Sequence, residues 1–253
     1  MAKAKVSTKV QEYDWSKETV TGFEGTKTED LGIPFLQIVQ AKSPEFDETH
    51  DDYAKKFIEG SRPGYIINSL TRQIAYGGNK KNPLKVIPCF AEKMYPEFKP
   101  RTEKGGFVKM HRDASILSSC ERNEKNKDVI MHGNGQGHEI ITTHYFYVMA
   151  EIEGTWEKVI IGMTSTQLKN ARRWLNMMSS IRINGNTPPM FSHIYGLSTD
   201  VEKNQDGSWY GWNMVTVGAL NPNIADDREL VGAARGVVQD QVKNLALPAP
   251  DSE

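Results

Sequence analysis

Cysteine is nearly missing from this chain: Cys89 and Cys120 are the only two in 253 residues. That rules out a disulfide scaffold and fits a reducing compartment. No apolar run approaches the roughly eighteen residues of a membrane span, so none is expected. The opening MAKAKVSTKVQEYDW lacks an apolar centre, and no signal peptide is expected there. Excess charge is lacking too. With a formal net charge of −1, no overall field draws polyanions, and any anion binding must come from local asymmetry.

Common catalytic signatures are also absent. HGNGQGHE carries glycines without the Lys-Ser/Thr ending of a phosphate loop, no Gly-x-Gly-x-x-Gly follows a strand pattern, and there is no Gly-x-Ser-x-Gly elbow. His132, His138 and His144 with Cys120 read as a weak zinc set, since no Cys-x-x-Cys accompanies them. Glu139, Glu151 and Asp113 could form a nuclease carboxylate site, but their spacing does not favour one. Neither catalysis, a cofactor nor a metal is expected from these residues.

What the sequence does have is a basic middle between acidic flanks. Thr71 to Ser115 holds ten Lys/Arg against four acids, whereas Gln40 to Gly60 holds six acids against three lysines. The stretch MTSTQLKNARRWLNMMSSIRI (163–183) adds four cations and no acid. Leu168, Ala171, Leu175 and Met178 recur there at helical spacing and predict the buried stripe, which leaves Lys169, Arg172 and Arg173 exposed. Thr164 and Gln167 predict a capping box at its start.

Strand patterns precede and follow this helix. IPFLQIVQ (33–40), GYIINSLTRQIAY (64–76) and LKVIPCFAEKMY (84–95) come first, and Pro88 predicts an edge or a bulge in the third. Residues 96–138 read as a long polar connection with one short strand at GFVKMH. EIITTHYFYVMAEI (139–152) and TWEKVIIGM (155–163) predict a hairpin turning at Glu153-Gly154. MFSHIYGLSTDV (190–201) and SWYGWNMVTVGA (208–219) predict another around Asp206-Gly207, before a last helix near Asp227 to Leu245.

From residue 84 this order is that of an OB-fold-like five-stranded barrel: mainly β, with a helix between its third and fourth strands. Another small barrel or an α+β sheet is the alternative. The expected layout is a flexible N-terminal arm (1–30), the barrel domain with an N-terminal strand extension (31–220), and a C-terminal helix and tail (221–253). In that fold the segment 96–138 and the turn 202–208 flank the face that grips oligonucleotides.

The candidate binding residues follow from the chemistry of unpaired strands, which need rings for bases and cations for phosphates. Tyr95, Phe98, Phe107, Tyr145, Tyr147, Tyr210 and Trp212 are the expected stacking rings. Lys99, Arg101, Lys104, Lys109, Arg112, Lys169, Arg172 and Arg173 are the expected phosphate contacts. For each ring taken singly, simple coverage of a sheet is the more ordinary role.

GIPFLQIVQAKSPE, VIPCFAEKMYPEFKPR…GGFV, MTSTQLKNARRW and GSWYGW resemble segments of tailed-bacteriophage proteins encoded among replication genes, some of them single-stranded DNA-binding proteins of OB-fold type. The resemblance spans about residues 31–215. It implies a non-enzymatic role in phage DNA replication or recombination, coating single-stranded DNA in the bacterial host cytoplasm without sequence preference. The implied protein partners are a polymerase, a helicase or a recombinase. Only Asp251 and Glu253 mark the acidic tip that recruits such partners in related proteins. Two rival expectations stand beside this one: a metal-dependent nuclease or recombination enzyme, and a virion or host-takeover protein whose basic face meets an acidic partner.

Overall fold

A computed structural model describes residues 34–100, 105–124, 126–132, 136–205 and 207–246. The strands are β1 (Phe35–Ile38), β2 (Ile66–Asn68), β3 (Ile74–Tyr76), β4 (Leu84–Phe98), β5 (Phe107–His111), β6 (Glu121–Arg122), β7 (Asp128–His132), β8 (Gln136–Ile140), β9 (Thr143–Ile152), β10 (Thr155–Thr164), β11 (His193–Asn204) and β12 (Gly207–Ala219). A short α1 (Tyr53–Lys56), α2 (Leu168–Ser180) and α3 (Ala225–Ala246) complete the chain order. Among the described residues, no helix is long and apolar enough to cross a membrane.

The twelve strands form one mixed open sheet in the order β3-β2-β1-β10-β9-β4-β8-β7-β6, with β11 and β5 also on β4, and β12 on β11. The mainly β class with helices is as expected, but a closed five-stranded barrel does not form. The outer edge of β10 is taken by β1, running parallel to it through Phe35 opposite Ile160 and Leu36 opposite Ile161. β12 has only β11 as a strand partner among the described residues.

β4 organises the sheet because its fifteen residues serve two neighbourhoods. Leu84 to Val86 pairs with β11 and Val86 to Met94 with β9, whereas Tyr95 to Phe98 pairs with β5 and, at Glu97 and Phe98, also with β8. Its register shifts between Pro88 and Phe90. Pro88 has no N–H to give the ladder, so a bulge there is the expected remedy in a central strand.

Alternation places Phe146, Val148, Ala150 and Ile152 of β9 in the main core with Val159, Ile161 and Met163 of β10. α2 closes one end of that core. Its fully buried Trp174 stacks obliquely on Phe146 at 4.7 Å and meets Tyr195 edge-on at 5.9 Å. α3 lies over the other face, where Ala234 and Val237 pack with Ile87, Cys89, Met149 and Leu220. Burial pushes the Cys89 thiol up to about 12, so it behaves as an apolar side chain.

Three expectations are corrected. GYIINSLTRQIAY is a hairpin, β2 and β3, because the chain reverses at Arg72 with φ 62°. The long polar connection folds into β5 to β8 with a 3₁₀ turn at Ala114–Ser119. Thr164 is extended before the helix but makes no side-chain cap bond, and a 3₁₀ turn at Ser165–Gln167 intervenes before α2. The Gln167 amide is engaged elsewhere: its Oε1 accepts from the Trp212 backbone N–H at 3.0 Å.

Candidate functional site

The open side of the sheet is a seam between β12 and the β1–β10 edge. Extended residues leave the N–H and C=O of Tyr210 and the N–H of Trp212 pointing into it, where no strand answers. Gln40 fills the first position as a strand residue would. Its Nε2 donates to the Tyr210 carbonyl at 2.9 Å, and its Oε1 accepts from the Tyr210 N–H at 2.8 Å. Gln167 fills the second. Side-chain amides are long enough to bridge the gap without drawing the strands together.

A cleft of about 470 Å³ therefore remains along the seam. Phe35, Tyr145, Trp209 and Tyr210 line it, with Thr164–Thr166 at the approach to α2. Phe35 and Tyr145 meet edge-on at 6.3 Å across β1 and β9, over the small Gly162. Tyr210 rests on Gly64, whose φ is +89° and where an added Cβ would sit 2.6 Å from the ring. Glu202 anchors the far wall, accepting from Trp209 Nε1 at 3.1 Å and Asn170 Nδ2 at 2.9 Å, and pairing with Lys169 at 3.0 Å.

The expected site residues divide by location. Tyr145 and Tyr210 are half-buried and reach the cleft. Trp212 touches its floor but is buried in the main core, and Tyr95 is buried as well, so neither offers a ring face to a base. Both lie on the inward side of their strands. Tyr147 stacks near Phe90 and packs under α3, and its hydroxyl donates to Glu92 at 2.7 Å. Burial, then that carboxylate, raises its pKa. An acid at this hydroxyl opposes a phosphate there.

Arg172 and Arg173 are exposed and form no ion pair with any described residue, whereas Lys169 is matched by Glu202. Burial lowers the pKa of His144, and the charges of Lys93 and Arg172 lower it further, so these groups gather beside Thr143 and Tyr145. The charge of Arg112 is felt at Tyr147. Phe98, Lys99, Phe107 and Lys109 form a second group at the β4–β5 hairpin, with the two rings edge-on at 5.9 Å and Phe107 57% exposed. Glu92, opposite Tyr145, and Phe98 are six residues apart on β4, roughly 20 Å at a strand's rise. Arg101, Lys104 and the tail from 247 lie outside the described residues.

Sequence patterns did not single out Phe35, Gln40 or Gln167 for this cleft, because their roles depend on strands far away in the chain. A second constellation was also missed. Glu97 is 1% exposed, between β5 and β8. His132 Nε2 and His138 Nδ1 meet its Oε1 at 2.8 and 2.6 Å, and His111 Nε2 meets its Oε2 at 2.7 Å. Burial alone would raise the Glu97 carboxyl, but hydrogen bonds from His111, His138 and His132 outweigh it and hold the pKa at about 2. The available signal was His132 and His138 with five residues between them, a spacing within the range of zinc sites.

A family model described as Pam3 phage gp34-like protein matches residues 3–242. No curated protein and no solved structure matches the chain.

Proposed function

The chain belongs to the Pam3 phage gp34-like protein family, a bacteriophage family, and we propose that it is a non-sequence-specific single-stranded DNA-binding protein of phage replication or recombination. The observation that carries this reading is the open seam cleft, walled by Phe35, Tyr145, Trp209 and Tyr210, beside an acid-free helix. Rings in a cleft can take unpaired bases of any sequence, while cations on its flank neutralise phosphates.

The order β12-β11-β4-β9-β10, with α2 between β10 and β11, supports an opened OB-fold arrangement. In that reading β9 and β10 are the second and third strands, whose outer face is the nucleic-acid surface of such folds. Tyr145 and Gly162 stand on those strands. Phe98 ends the first strand, Lys99, Phe107 and Lys109 follow it in the connection to the second, and together they extend the path. Tyr210, Arg172 and Arg173 complete the contacts; Tyr95 and Trp212 support the fold instead.

Titration with oligo-dT tests the reading. Trp209 fluorescence is expected to quench, with duplex DNA competing poorly. Tyr145→Leu keeps bulk but loses the ring, and is expected to weaken binding by roughly 5- to 150-fold, the 1–3 kcal/mol of one stacked base. Equal affinity for duplex and single strand, or no effect of Tyr145→Leu, overturns it.

A further inference from the structure

We propose that Glu97, His132 and His138 bind one divalent transition-metal ion of the zinc class, and that the ion staples the β7–β8 hairpin to β4. Three independent observations lead there.

The first is convergence. The carboxylate and the two imidazole nitrogens all lie within 4.8 Å of one another. His132 and His138 aim at the same oxygen, with ring centroids 4.2 Å apart. One lone cation among the three accepts all their lone pairs at once. His111 stands on the other oxygen, where it holds the carboxylate in orientation as outer partners of metal ligands do.

The second is what the surrounding segment lacks. No described residue between Glu97 and Ile140 is buried. β5 to β8 therefore form a small extension of the sheet, joined to β4 by strand pairing, with no buried apolar side chain among its described residues before Ile140. Structures that small are ordinarily secured by a disulfide, a metal or a partner. Both cysteines are free, which leaves the metal as the staple that the residues at hand can supply.

The third is the exposure gradient. Glu97 is 1%, His138 13% and His132 48% exposed at the side chain. A half-exposed imidazole gives an ion a path in and leaves a coordination position for water. The Gly137 backbone allows the approach, since a Cβ there would lie 2.1 Å from Val129 Cγ1. Two imidazoles and one carboxylate suit zinc, cobalt or ferrous iron, whereas magnesium and calcium take oxygen ligands. A magnesium-dependent nuclease centre needs more carboxylates than the single one present here.

The test uses the full chain, stripped with chelator and titrated with Zn²⁺ and with Co²⁺ in the absence of nucleic acid, so that its outcome is separate from that of DNA binding. One ion per chain is expected, with a visible Co²⁺ absorption band. His138→Asn and His132→Asn are each expected to weaken binding at least 100-fold, and His111→Asn by roughly 10- to 100-fold. His144→Asn, on β9, should bind as the parent does. Because His132 is half-exposed, its replacement leaves the fold intact, which far-ultraviolet circular dichroism checks. Metal should also slow proteolysis between residues 99 and 142 in the parent and not in His132→Asn. Absent or non-stoichiometric binding, binding unchanged in His132→Asn, or Mg²⁺-dependent DNA cleavage that requires Glu97 overturns the proposal.

Discussion

At the outer edge of β12, backbone groups of Tyr210 and Trp212 find side-chain amides of Gln40 and Gln167 at 2.8–3.0 Å. Each such bond contributes modestly, but an edge group left unanswered in a half-buried seam is costly. Gln40→Leu removes both partners of Tyr210 at once while keeping the side chain's approximate length. It is expected to destabilise the protein by about 1–3 kcal/mol in urea unfolding and to weaken oligo-dT binding, because the Tyr210 wall is no longer fixed. A Gln40→Leu protein as stable as the parent would show that water replaces the amide without loss. Residue roles of this kind were the least legible in the sequence. Gln167 matched a capping position by spacing alone, yet a strand 45 residues away claims its amide. Tyr210 and Trp212 share a strand face by alternation and both line the cleft, but only the fold decides that Tyr210 is half-buried there while Trp212, at its floor, is buried in the core.

Elements were legible from apolar runs bounded by turns and, in α2, from helical spacing. β9, β10 and β11 are buried on both faces along part of their length, so strict alternation is broken there, but the turn at Glu153-Gly154 lies where it was expected, with φ of 50° and 81°. Between Glu97 and Ile140 no described residue is buried, so β6 and β7 offered no hydrophobic pattern to read, and within that connection only GFVKMH, which is β5, was visible as a strand. The N-terminal strand was visible, but not its parallel place beside β10, because no local rule fixes a partner so distant. Close approach between elements can be tested at Gly196, where β11 crosses onto β4 opposite Lys85. A Cβ there would lie 2.6 Å from Pro83 Cγ, in a ring that cannot swing aside as a flexible side chain would. Gly196→Ala is expected to cost about 1–3 kcal/mol, read as a lowered thermal midpoint. An unchanged midpoint would mean that the Pro83 turn moves freely and that β11 is held by β12 alone.

Over the whole molecule a net charge of −1 gives little long-range attraction, so affinity for DNA has to come from cations in contact with phosphate. Composition showed that cations are concentrated in the middle of the chain, but not how folding distributes them. Lys99 and Lys109 lie at the β4–β5 hairpin, Arg172 and Arg173 on α2, and all four are exposed and form no ion pair with another described residue. If a strand runs along the open side and meets all four, the logarithm of affinity should fall with the logarithm of salt at a slope of about −2.8. Raising salt from about 50 to about 200 mM would then weaken binding by roughly 50-fold. Replacing Arg172 and Arg173 together with alanine should bring the slope to about −1.4 and the loss over the same range to roughly 7-fold. A parent slope near zero would place the basic groups off the path of the strand. An unchanged slope in the double variant would take α2 out of the interface and leave the hairpin as its only cationic end.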